Sequence, residues 1–132
     1  MRITNRTRDT LLGRRIRLAS TWMGRFRGHF GRTEPGDGEG ILLTSCNAVH
    51  SYFTSFALDV LFLDDRGRVL DIIRSFPPRK KSRRVAGARY VLGVPQGTVD
   101  SSDTEIGDVL GWREPAYSLS VLFQDRNRPG AA

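Results

Sequence analysis

From Leu58 to Leu63 the chain is apolar at every position except Asp59, and turn-forming residues follow at Asp64-Asp65-Arg66-Gly67. A short, almost wholly apolar run closed by a turn is the pattern of a strand buried on both faces. The Gly-containing turn predicts a hairpin into Arg68-Val69-Leu70-Asp71-Ile72-Ile73, and Pro77-Pro78 ends that second strand because proline cannot donate to a sheet ladder. Upstream, Gly40-Ile41-Leu42-Leu43 reads as a short buried strand. Downstream, residues 89–94 read as a strand and 95–103 as a turn with a short helix. Residues 106–112 read as a strand entered through Gly107-Asp108, and Leu119, Val121 and Phe123 allow one more before the tail at 125–132.

The N-terminal third follows a different period. After one short strand, Ser20 and Thr21 can cap a helix beginning near Trp22, in which Met23, Phe26 and Phe30 form one apolar stripe and Gly31 supplies a left-handed stop. Together these elements predict an α+β class. The expected core is a compact, mainly antiparallel β-sheet or barrel, with one main N-terminal helix and one short helix. Residues 1–124 would form a single domain and 125–132 a flexible tail.

Composition narrows the class of protein. A chain of 132 residues with 39% hydrophobic and 27% charged residues is ordinary for one folded domain. Leu11 and Leu12 run straight into Gly13-Arg14-Arg15, too short for a secretory signal, and no run is long enough to span a bilayer. One cysteine excludes an internal disulfide. The expectation is a cytoplasmic, bacterial protein with no cofactor and no metal.

Charge is unevenly placed. The net charge is +7, yet residues 1–32 and 66–89 each carry +8 while 33–65 carry −6. Clustered cations attract phosphate-bearing partners, although 19 of the 21 basic residues are Arg, a skew that genome composition alone produces.

The segments Gly38-Glu39-Gly40-Ile41-Leu42-Leu43 and Cys46-Asn47-Ala48-Val49-His50-Ser51-Tyr52-Phe53 resemble the bacterial and archaeal domain of unknown function 192 family. Further motifs follow in the family's order: residues 25–32, 77–80, 91–98, and Gly107-Asp108. The likeness runs from about residue 4 to 111. It implies a compact, mainly antiparallel β structure with one or two helices, and no established activity. Departures fall at Ser45 and Ala57, where the family usually has Pro, at Thr54-Ser55 in place of Met-Arg, and at Arg79 in place of Trp.

Two candidate sites emerge. The first is a shallow pocket drawn from Cys46, His50, Tyr52, Phe53 and Asp59, in which an imidazole beside aromatic rings is how a small-molecule pocket is lined. Cys46 and His50 lie four residues apart, about 13 Å along a strand or about 6 Å along a helix, so a thiolate–imidazole pair needs a sharp turn between them. Asp59, inside an apolar run, must reach solvent or accept several hydrogen bonds. The second site is the basic loop with Arg79, Lys80, Lys81, Arg83 and Arg84, which has five cations in six residues and no aromatic ring for stacking on bases. The readings rank in order as a non-catalytic binding or accessory domain for a small molecule or protein partner, a polyanion or nucleic-acid binder, and a Cys/His-dependent hydrolase or transferase.

Overall fold

The structure, a computed structural model, describes residues 1–19, 35–49 and 56–113. Strands β1 (Ile3–Asn5), β2 (Thr10–Gly13) and β8 (Leu110–Trp112) form a three-stranded sheet in the order β2-β1-β8. Strands β3 (Arg15–Ala19), β4 (Glu39–Thr44), β5 (Leu58–Leu63), β6 (Val69–Phe76) and β7 (Tyr90–Pro95) form a five-stranded sheet in the order β3-β4-β7-β5-β6. The helix α1 (Thr98–Ser101) is one turn long. All pairings are antiparallel except β3 with β4.

The expected α+β class and barrel-like core are therefore corrected. Among the described residues 48% are in strands and 4% are helical, and the two sheets are layered rather than closed into a barrel. The helix expected from Trp22 lies outside the described residues, as do the strand expected at 119–123 and the tail. The N-terminal stretch read as one strand contains three. In β3 the order Arg15-Ile16-Arg17-Leu18 alternates exposed arginines with inward apolar side chains, and Ala19, on the arginine side, is buried in the opposite core.

The layering follows from β5. Its side chains alternate between two cores: Leu58, Val60 and Phe62 join Ile41, Leu43, Phe76 and Val91 on one face, while Leu61 and Leu63 join Ile16, Leu42, Leu92 and Val94 on the other. A strand apolar on both faces requires cover on both. The second face is covered by the small sheet, through Ile3, Leu12 and Leu110, and by Val99 of α1. The first is covered by loop residues, among them Val49 and Ala88, with Cys46, Phe56 and Val85 partly buried beside them.

The turn of the β5–β6 hairpin is braced by the Asp64 side chain. Asp64 Oδ1 accepts from the backbone N–H of Arg66 and of Arg68, each at 2.9 Å. Gly67 follows at φ 86, and a Cβ there would collide with the Leu110 carbonyl oxygen, so the hairpin and β8 approach as closely as they do only because the residue is glycine. Gly40 meets a similar demand within the sheet, where a Cβ would lie 2.6 Å from the Gly93 carbonyl oxygen and 2.9 Å from Ile16.

Candidate functional site

The two sequence-level sites change membership once the chain is folded. Asp59 is 1% exposed and lies on the face of β5 that meets the small sheet. Its Oδ1 accepts from the Ser75 N–H at 2.9 Å, and its Oδ2 accepts from the N–H groups of Gly97 and Val99, each at 3.0 Å. Ser75 has φ 54, Gly97 has φ 95, and no side chain of α1 caps its own N-terminus. Asp59 thus serves three backbone donors that the bend in β6 and the start of α1 would otherwise leave unpaired. Its carboxylate is committed to structure.

Cys46 belongs to the opposite face. β4 ends at Thr44, and the left-handed Ser45, at φ 53, turns the chain so that Cys46 N–H donates to Arg89 O at 3.2 Å and Sγ donates to Ala48 O at 2.9 Å. Proline cannot adopt that φ, so the departure from the family pattern at Ser45 has a backbone consequence. Burial pushes the Cys46 thiol above its ordinary value, which disfavours the nucleophilic thiolate. The five-stranded sheet separates Cys46 from Asp59. His50, Tyr52 and Phe53 lie outside the described residues.

What the fold does bring to Cys46 is the basic loop. Val85 N–H donates to Asn47 O at 2.9 Å, Ser82 N–H donates to Val49 O at 2.8 Å, and Val49 N–H donates to Ser82 Oγ at 2.9 Å. Residues 46–49 and 82–85 are therefore clipped side by side over the loop-covered face. Arg79, Lys80, Lys81, Arg83 and Arg84 are all exposed. Arg83 reaches Asp71 of β6 at 3.1 Å, and the other oxygen of Asp71 accepts from the Ile72 N–H at 2.9 Å. Arg79, standing where the family usually has Trp, has φ 59.

A third group escaped the sequence. Asn5 is fully buried, and its Nδ2 donates to Thr104 Oγ1 at 3.0 Å and to Asp108 Oδ2 at 2.9 Å. Asp108 Oδ2 also accepts from Arg8 Nε at 2.8 Å and the Glu105 N–H at 3.0 Å. Burial pushes the Asp108 carboxyl up, but the hydrogen bonds from Asn5, Arg8 and Glu105 outweigh it and hold the group below its ordinary value. Ser102 and Thr104 extend the network, their hydroxyls 2.7 Å apart. Each of these groups has partners within the protein, so the network reads as a tie between the β1–β2 hairpin and the segment before β8. The sole clue in the sequence was the Gly107-Asp108 motif.

Among the described residues no group of three or more His, Cys, Asp or Glu side chains is placed to hold a metal ion, and no helix is long and apolar enough to cross a membrane.

Comparison with known proteins agrees with the sequence likeness. Residues 3–112 match the family named domain of unknown function 192, described as an uncharacterized ACR. A UPF0127 protein of Thermococcus sibiricus is 32% identical over 114 residues, covering 83% of this chain and 73% of the relative. A second, from Thermococcus gammatolerans, is 29% identical over 135 residues, covering 92% and 84%. These relatives are archaeal, which corrects the bacterial source expected from the sequence. Among solved structures, a protein of unknown function from Novosphingobium aromaticivorans superposes with a TM-score of 0.69 at 23% identity, over 84% of this chain and 82% of the other. A Sinorhizobium meliloti protein described as a candidate transcription regulator gives 0.64 at 23% identity, over 83% and 89%. At that identity both likenesses speak to the fold alone.

Proposed function

The chain belongs to the domain of unknown function 192 family, whose function is uncharacterised, and we propose that it acts as a non-catalytic binding domain engaging a phosphate-bearing anion through residues 79–84 and the adjoining segment 46–49. One observation carries this reading: the backbone and hydroxyl clip between Ser82 and Val49 fixes an exposed run of five cations beside the segment that begins at Cys46. The contacts that pack Val49 and Val85 over the core also fix, between them, like charges that would otherwise spread apart. Two observations count against the catalytic alternative: Asp59 is spent on three backbone donors, and burial raises the Cys46 thiol above its ordinary value. The loop lacks an aromatic ring, so recognition would rest on phosphate charge rather than on base stacking.

The test is fluorescence anisotropy with a labelled linear polyphosphate and, separately, a labelled single-stranded oligonucleotide, each titrated across a range of NaCl concentrations. Affinity should fall steeply with salt, and Ala substitution at Lys81 and Arg84 should weaken binding and flatten the salt dependence by about one unit of slope per lost phosphate contact. Equal affinity for the two probes indicates phosphate chemistry alone, and preference for the oligonucleotide indicates nucleic acid as its source. Absence of binding at low salt, or binding indifferent to these substitutions, overturns the reading.

A further inference from the structure

We infer that Ser82 is a positioning residue for the anion site, acting through Val49 to hold the basic loop in its binding shape; the inference rests on the binding reading above. Ser82 is the one uncharged side chain in the run Arg79-Lys80-Lys81-Ser82-Arg83-Arg84 and sits near its middle. Its backbone N–H donates to Val49 O at 2.8 Å, while its hydroxyl oxygen accepts from the Val49 N–H at 2.9 Å and donates to Arg83 O at 3.0 Å. One hydroxyl therefore uses both its donor and an acceptor position, and it closes a two-point contact that a backbone bond alone would leave single.

The consequence for a ligand follows from charge and entropy. Cations within a few ångströms of one another repel, and an untethered loop relaxes by spreading them. A ligand meeting such a loop must reassemble it and bear the ordering cost on binding. With the clip closed, that cost is met in folding for the backbone that carries the cations, which is held to Val49 at Ser82. The same clip has a second half. Residues 46–49 carry the Cys46 thiol, whose Sγ is bound to Ala48 O inside the clipped stretch. Opening the contact at Ser82 should loosen Ala48 and uncover the thiol.

The experiment compares Ser82→Ala and Ser82→Thr in the full chain, with linear polyphosphate as the probe. Ser82→Ala should bind about fivefold more weakly, the factor that one lost hydrogen bond of about 1 kcal/mol gives, and its salt dependence should flatten because fewer cations engage at once. Ser82→Thr keeps the hydroxyl and should recover the affinity to within about twofold. As an independent measure, alkylation of Cys46 by a neutral maleimide should run faster in Ser82→Ala than in the parent and return to the parent rate in Ser82→Thr. A Ser82→Ala protein that binds as the parent does, while Lys81→Ala and Arg84→Ala lose affinity, overturns the role of Ser82 and leaves the anion site standing. A loss that Thr does not restore, or an alkylation rate unchanged by Ser82→Ala, also overturns it. If Lys81→Ala and Arg84→Ala bind as the parent does, the binding reading itself falls and this inference falls with it.

Discussion

The two faces of the five-stranded sheet are closed by different means. One face is sealed by a second sheet and by carboxylates whose hydrogen bonds are all internal: Asp59 ties β6 to α1, and Asp108 ties the β1–β2 hairpin to the approach to β8. The other is covered, among the described residues, by loop segments whose outer surface is a run of exposed cations held through Ser82. Buried carboxylates with several donors are costly to disturb, whereas exposed cations with few partners are nearly neutral to stability. The contrast therefore separates residues that maintain the fold from residues available to a ligand, and it can be tested by asking whether stability and binding respond to different substitutions.

The largest effect is expected at Asp59. Asp59→Ala leaves three backbone donors without their acceptor and should cost about 4 kcal/mol in urea denaturation, a large fraction of what a domain of this size possesses. Next is Gly67→Ala, which combines a left-handed backbone with a collision against Leu110 and should cost about 3 kcal/mol in the same measurement.

Acid should act on the same closed face. The Asp108 carboxyl is held below its ordinary value, so its contribution is complete above the unfolded carboxylate range and is lost as pH falls through the lower folded value. Thermal midpoints measured downward from neutral pH should show this loss, and Asp108→Asn should be less stable at neutral pH with a shallower acid dependence. A parent and variant with parallel profiles would remove Asp108 from the account. The smallest effects belong to the other face: Lys81→Ala and Arg84→Ala should stay within about 0.5 kcal/mol of the parent. If they destabilise as strongly as Asp59→Ala, the division between the faces is wrong.

Legibility in the sequence tracked local pattern. The apolar run at Leu58–Leu63, the turn at Gly67, the stop at Pro77 and the exposed basic loop each depend on neighbours in sequence, and each stands where the pattern put it. The strands β2 and β3 were missed because Arg14 alone separates them and the arginines of β3 mask its alternation. Asp59 was conspicuous as a charge among apolar residues, but its partners at Gly97 and Val99 lie about forty positions away, and nothing local names them. Grouping Asp59 with Cys46 in one pocket failed for a related reason: adjacent segments of sequence were assigned to one site, and the sheet put them on opposite sides. Asn5 and Asp108 are 103 residues apart, and no single-sequence periodicity links them.

That separation has a bearing on the order in which the chain can be completed. β1 pairs with β2 nearby and with β8, so residues 3–5 obtain their second neighbour only after residue 112 has been made. At about 5–20 residues per second, the interval is roughly 5–20 seconds, during which the β1 edge of the hairpin lies open and Asn5 lacks Asp108. Contacts so distant in sequence form slowly and late. The small sheet, which seals the large one in the finished protein, thus leaves the edge of β1 open to the wrong strand until β8 has been made.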